Sequence, residues 1–387
     1  MGAVGSGEER NKEVDATHRS EDDFAEEAKD DRLGTDELDS TKRTVTVALV
    51  QSPSVLGDVP VNVVRMEQQC RKAAAKGAKI IVLPETAITG YISADLQTNW
   101  RITGRPLNER FPHSLDPSPY AEVRDGPSVR HFAALAAELG VYITVPYIEV
   151  ADGVFYNSVS LVGPMGCSVA HYRKNCPWPD PEKSWATPFD GVEGALYQTE
   201  YGWVGLAICF DIHTILLKYH EQDKPIWALL YPIAWVGDVD RWFGELLPIR
   251  LQRCACPHFI CGANWATFAP PTWRGAGGSS VYGPRGEILA SAGASWRETI
   301  VYATLPTQDH MQNGPPLDVA EYRAWTQSQT GTDYWNHWDA LEEDIELPPN
   351  AHCFVNDMRR MHDPKTYETP DGLRRARNPW RPRQGLH

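Results

Sequence analysis

The stretch from residue 44 to residue 306 predicts an α/β fold, and three observations carry that expectation. Short apolar runs rich in Val and Ile recur at strand length. Segments with helical spacing stand between several of them, the alternation that builds a sheet with covering helices. Gly and Pro punctuate the pattern, as Gly77 and Pro84 do early in the chain.

The first run is 44–51, where Val45, Val47 and Leu49 alternate with Thr46, Ala48 and Val50 in a buried strand ending at Gln51. An amphipathic helix is expected over 61–76, with Val64, Cys70, Ala73 and Ala74 on one face and Gly77 closing it. Ile80, Ile81, Val82 and Leu83 form an apolar, largely β-branched run stopped by Pro84, as in a central parallel strand. A helix near 128–139 and strands at 141–146, 158–162, 204–208 and 226–231 follow. A helix near 243–254 and strands at 259–264, 279–282, 288–290 and 300–304 complete the domain.

The flanks differ in character. Residues 1–43 are crowded with Asp, Glu, Lys and Arg and poor in large apolar side chains, so they read as a disordered acidic tail. Residues 307–387 hold scattered aromatics (Tyr322, Trp325, Tyr334, Trp335, Trp338), many prolines and a basic end at 374–383. Without sustained periodicity this extension is expected to pack on the core or on a neighbouring subunit rather than fold alone.

Bulk composition narrows the function classes. Of 387 residues 42% are hydrophobic and 23% charged, as in a soluble globular protein. The net charge of −14 argues against a nucleic-acid partner, because polyphosphate binding favours an excess of Lys and Arg. No run approaches the ~18 apolar residues of a membrane span. No apolar leader core follows Met1, so the expected location is cytoplasmic and the eight cysteines are expected to be mostly free thiols. Met1-Gly2-Ala3-Val4-Gly5-Ser6 fits a myristoylation template, but the acidic residues behind it would repel anionic lipid, and no membrane partner is expected.

Chemistry is expected where strands end, since open α/β sheets place their sites there. Glu85 follows the apolar run through Leu83 and Pro84, where a carboxylate is costly unless paired or used. Lys174 closes His171-Tyr172-Arg173-Lys174, and Cys209 closes Gly205-Leu206-Ala207-Ile208-Cys209 ahead of Phe210 and Asp211. Singly, each has an ordinary reading: a capping acid, a solvated basic turn, a small core hydrophobe.

Together, in the order Glu, Lys, Cys, they resemble the nitrilase (carbon–nitrogen hydrolase) superfamily. The resemblance covers about 44–306 and rests on Leu83-Pro84-Glu85 with Gly90-Tyr91, on Tyr172-Arg173-Lys174, and on Gly205-Leu206-Ala207-Ile208-Cys209. Tyr231-Pro232-Ile233-Ala234-Trp235 and Gly277-Gly278-Ser279-Ser280 also look like that family. It implies a four-layer α-β-β-α sandwich that pairs into a homo-oligomer through a helical layer. It also implies cleavage of a small linear amide to acid and ammonia without metal or cofactor. Glu85 would act as general base and acid, Lys174 with the backbone N–H of Phe210 would hold the oxyanion, and Cys209 would form a thioester.

The subgroup signals diverge. The segment from Arg173 through Trp178 to Glu182 is similar to the lysine loop of aliphatic amidases and formamidases, in which a second glutamate orients the lysine and the amide; Glu182 matches it. Cys209-Phe210-Asp211-Ile212 looks more like the vanin and biotinidase branch, and the Trp-Glu that usually follows the cysteine of nitrilases proper is absent. Tyr91, Trp178 and Trp235 are candidate pocket residues. Two rivals stay open: a nitrilase or N-carbamoyl hydrolase with the same triad, and a catalytically silent scaffold. Cys254, Cys256, His258 and Cys261 are expected on mixed faces of a helix and a strand and do not suggest a metal site. Cys176 is a pocket wall or a buried thiol. The glycines at 275–278 suit a turn, and no Gly-rich loop with Lys-Ser/Thr supports a nucleotide-phosphate cradle.

Overall fold

The computed structural model describes residues 43–92, 111, 114, 116–178, 182–235, 239–266, 275–312 and 314–330. In chain order β1 (Thr44–Gln51), α1 (Val59–Ala75), β2 (Ile80–Val82), α2 (Pro127–Leu139), β3 (Tyr142–Ala151), β4 (Val154–Val162) and β5 (Ser168–Arg173) come first. They are followed by β6 (Leu196–Thr199), β7 (Gly202–Leu206), α3 (Ile215–His220), β8 (Ala228–Pro232), α4 (Leu247–Arg253) and β9 (Phe259–Ala263). β10 (Ser280–Tyr282), β11 (Ile288–Ser291), β12 (Thr299–Pro306) and α5 (Val319–Thr330) complete the chain as described.

The strands form two six-stranded sheets, ordered β12-β1-β2-β3-β4-β5 and β11-β10-β9-β8-β7-β6. β1, β2 and β3 run parallel, as do β7, β8 and β9, and antiparallel strands flank each set. Side-chain alternation along β1 explains the layering. Val47 and Leu49 join Val204, Leu206 and Leu229 between the sheets, whereas Ala48 and Val50 meet Met66 and Cys70 of α1 and Phe132 of α2. Ile215 and Leu216 of α3 and Leu247 and Leu251 of α4 cover the second sheet. The result is the α-β-β-α sandwich expected. Each such aliphatic side chain contributes about 1.5–3 kcal/mol by leaving water.

Local chemistry sets the helix ends. Asp58 caps α1 by accepting from the Val61 N–H at 3.3 Å, so the helix begins earlier than its apolar spacing predicts. Gly140 ends α2 at φ +63°, a left-handed turn that costs glycine nothing. The inner face of α1 differs from expectation. Val64 is exposed, and the buried positions are Asn62, Met66, Gln69, Cys70 and Ala73. The Asn62 carboxamide accepts from Val55 N–H and donates to the carbonyls of Val55 and Ile88, so a polar residue faces inward and apolar spacing alone misplaces the face.

Elements beyond the sequence reading include β5, β6, the six-residue α3 and α5. β5 and β6 are too polar for an apolar-run signal, and α5 buries Tyr322 and Trp325 within a helix whose other turns are polar. Among the described residues no helix is long and apolar enough to cross a membrane. Residues 1–42 and 331–387 lie outside the described residues, as do the expectations attached to them.

Candidate active site

Two strand ends of the first sheet and one of the second point into a common site. Glu85 stands just past β2, Lys174 directly after β5, and Cys209 just past β7. Both Thr86, next to the acid, and Cys209 itself adopt left-handed backbone, at φ +47° and +45°. A non-glycine residue there costs of order 1–3 kcal/mol and persists where its surroundings over-determine it. The Glu85 main chain is pinned on both sides: its N–H donates to Ile233 O at 3.3 Å, and its carbonyl accepts from the Trp265 indole at 2.6 Å.

Side-chain contacts bind the acids to the lysine. Lys174 Nζ donates to Glu85 Oε1 and to Glu182 Oε2, each at 2.7 Å, and all three residues are buried. Asn157 Nδ2 donates at 2.7 Å to Glu85 Oε1 and to Glu182 Oε1. Glu182 also accepts on Oε2 from Tyr91 OH (3.2 Å) and from the Trp178 backbone N–H (2.8 Å). Both Glu182 oxygens are therefore committed, whereas Glu85 Oε2 is buried with no hydrogen-bond partner.

The sulfur joins this cluster electrostatically. Cys209 lies deep in the molecule yet keeps part of its surface open, as access to a site requires. Burial and the Glu85 charge push its thiol well above the ordinary range, against the pull of Lys174 and of a hydrogen bond from the Ala234 backbone N–H. Burial lifts Glu85 to about 7, with Lys174 and Asn157 pulling down and Glu182 pushing up. Burial also works against the Lys174 charge, but Glu182 and Glu85 outweigh it and hold the ammonium well above its ordinary value.

The remaining expected residues sit around this core. Phe210 is the second residue of the 3-10 helix Cys209–His213, its ring 4.7 Å from that of His213. Trp235 is half-buried beside Ala234, stacks on Trp242 at 5.2 Å, and donates its backbone N–H to Asn264 Oδ1 at 2.8 Å. Glu182 lies on the one-turn 3-10 helix Glu182–Ser184, and Trp178 is half-buried ahead of it. The cysteine group elsewhere is core. Cys254, Cys256 and Cys261 are buried, burial lifts the thiols of Cys254 and Cys261 to about 12, and His258 shares a hydrogen bond with Ile226 O. Cys176 shares one with Thr214 Oγ1 at 3.4 Å.

Residues 46–312 match the carbon–nitrogen hydrolase family. The chain belongs to that family. Similar carbon–nitrogen hydrolases include a nitrilase of Bradyrhizobium diazoefficiens, 28% identical across 73% of this chain and 90% of its own. The N-carbamoylputrescine amidase of Solanum lycopersicum is 34% identical (65% and 83%), and the omega-amidase of Homo sapiens 29% (63% and 82%). Among solved structures an amidase from Nesterenkonia sp. shares the fold at TM-score 0.55 and 18% identity, covering 68% of this chain and 91% of that one. The protein is thus a hydrolase of carbon–nitrogen bonds.

Within this carbon–nitrogen hydrolase, sequence reading misses Asn157, Asp211, Ala234 and Trp265 as site residues. Asp211 ties the cysteine turn to the lysine loop, accepting from Tyr172 OH (2.8 Å), Cys176 N–H (2.7 Å) and Ile208 N–H (3.0 Å); burial lifts its carboxyl to about 6. Asn157 had a usable signal. A carboxamide inside an otherwise strand-like run is disfavoured there and implies a partner. Ala234 acts through its backbone, which no side-chain pattern announces.

Proposed function

We propose that the chain hydrolyses a small linear amide to its carboxylic acid and ammonia through a thioester on Cys209. The observation that supports this most directly is the asymmetry of Glu85. Its Oε1 is held by Lys174 and Asn157, which leaves the buried, partnerless Oε2 as a proton acceptor whose pKa near 7 suits work at neutral pH. Glu182, with both oxygens engaged, serves instead to fix Lys174.

In this reading Cys209 rests as a neutral thiol. Its sulfur attacks the amide carbon while its proton passes to Glu85, and the Ala234 N–H favours the developing thiolate. Lys174 and the Phe210 backbone N–H receive the oxyanion. The C–N bond then breaks and Glu85 returns the proton to the leaving ammonia. Water, deprotonated by Glu85, attacks the thioester; the C–S bond breaks and the proton goes back to sulfur. Tyr91, Trp178 and Trp235 wall the acyl side.

Ammonia release from a panel of short amides, with Cys209→Ala as control, tests the proposal, and mass spectrometry should find an acyl adduct on Cys209. The 34% identical relative is named for an N-carbamoyl substrate, so the panel includes a carbamoyl compound and a nitrile. The order of kcat/KM across the three classes separates those readings. A folded protein inert to all three classes would favour a scaffold instead.

A further inference from the structure

The family match stops at residue 312, yet the helix beyond it reaches the nucleophile's own turn. The 3-10 helix Cys209–His213 is too short to satisfy its carbonyls internally, and α3 begins just after it with unpaired N–H groups of its own. α5 supplies the missing partners. Tyr322 OH donates to Ile212 O at 2.7 Å and accepts from Leu216 N–H at 3.2 Å, so one buried hydroxyl clamps the end of one helix to the start of the next. Thr326 Oγ1 donates to His213 O at 2.8 Å.

Trp325 adds a side-chain contact. Its indole N–H donates to His213 Nδ1 at 3.1 Å, which places the proton of a neutral imidazole on Nε2. His213 is the hub of the region. Its ring lies 4.7 Å from Phe210, 5.4 Å from Trp242 and 5.7 Å from Trp325, and Trp242 in turn stacks on Trp235. One imidazole therefore touches the residue after Cys209 and, through Trp242, the wall that follows Ala234. The left-handed backbone at Cys209 needs surroundings that over-determine it, and α5 holds the C-terminal end of the same turn at Ile212 and His213.

We propose that α5 is a strap on the nucleophile turn, with Tyr322, Trp325 and Thr326 as positioning residues that act on Cys209 through Ile212 and His213. This rests on Cys209 being the nucleophile. Made in the full-length protein, Tyr322→Phe removes two hydrogen bonds and Trp325→Phe one, while each keeps a ring. Each should lower kcat about three- to tenfold with KM changed by no more than about twofold, the scale of one net hydrogen bond. Alkylation of Cys209 by iodoacetamide, followed on its peptide, should slow in step.

Should either variant fail to fold, Thr326→Val against Thr326→Ser carries the test, since serine restores the hydroxyl and should restore both rates. Variants that melt earlier but keep wild-type kcat and alkylation well below their melting temperature would overturn the strap and leave α5 as packing alone. The two readings fail separately. If the wild-type protein releases no ammonia, the alkylation rates still decide the strap. If Glu85→Gln leaves alkylation unchanged, the assignment of Glu85 as base falls instead.

Discussion

At the scale of single residues the site turns on how two carboxylates divide their partners. Glu85 must be ionised to accept a proton, so kcat/KM should rise with pH through about 7 and fall away below it, where the carboxyl is already protonated. A pH–rate profile with no limb in that region would exclude the assignment. Glu85→Gln should lower kcat by about 10²–10⁴-fold, the usual worth of a positioned acid–base group. Asn157→Leu removes a donor that stabilises the Glu85 carboxylate, so the acid limb should move to higher pH. Glu85, Lys174, Cys209 and Glu182 stood out in the sequence through the motifs that resemble the carbon–nitrogen hydrolases, and the structure gathers the two glutamates around the lysine. Asn157 offered only the hint of a carboxamide in a strand-like run, because its partners depend on strand register, which pairing with β3 and β5 reveals.

At the scale of elements, β5 matters more than its composition announces. Glu149 on β3 accepts from Ser158 Oγ of β4 at 2.7 Å, and its carboxylate also holds Arg173 and shares a hydrogen bond with His171 Nε2 at 2.8 Å, both on β5. The clamp closes one residue ahead of Lys174. Burial acts to raise the Glu149 pKa, but His171, Arg173 and Ser158 prevail and hold it near 2. Its contribution to stability is therefore present above about 4.5, the unfolded value, and is lost as pH falls towards 2. Glu149→Ala leaves Arg173 and His171 without their acceptor and should cost on the order of 3 kcal/mol, read by denaturant unfolding at neutral pH. Polar residues that stabilise β5 through this carboxylate hide it from a search for apolar runs. α5 escapes for a similar reason, since its inward side chains earn their place through hydroxyl and indole contacts.

For the whole molecule, the layers follow from strand alternation that the sequence displays openly, as Val47 and Leu49 against Ala48 and Val50 illustrate. The division of strands between two sheets is less open, because nothing local says that β6 pairs with β7 rather than β5. Every site residue named above belongs to the unit Thr44–His387. Deleting residues 1–43 removes none of them and should leave kcat/KM within about twofold of the intact chain. A larger loss would give the tail a part in the chemistry. Glu85 and Lys174 hang from one sheet and Cys209 from the other, so neither layer alone holds the proposed triad. If that triad carries the reaction, a chain still leaving the ribosome should be chemically silent until both layers have been made and have closed face to face. Recovery of hydrolysis after dilution from denaturant thus times that closure rather than the earlier growth of either sheet.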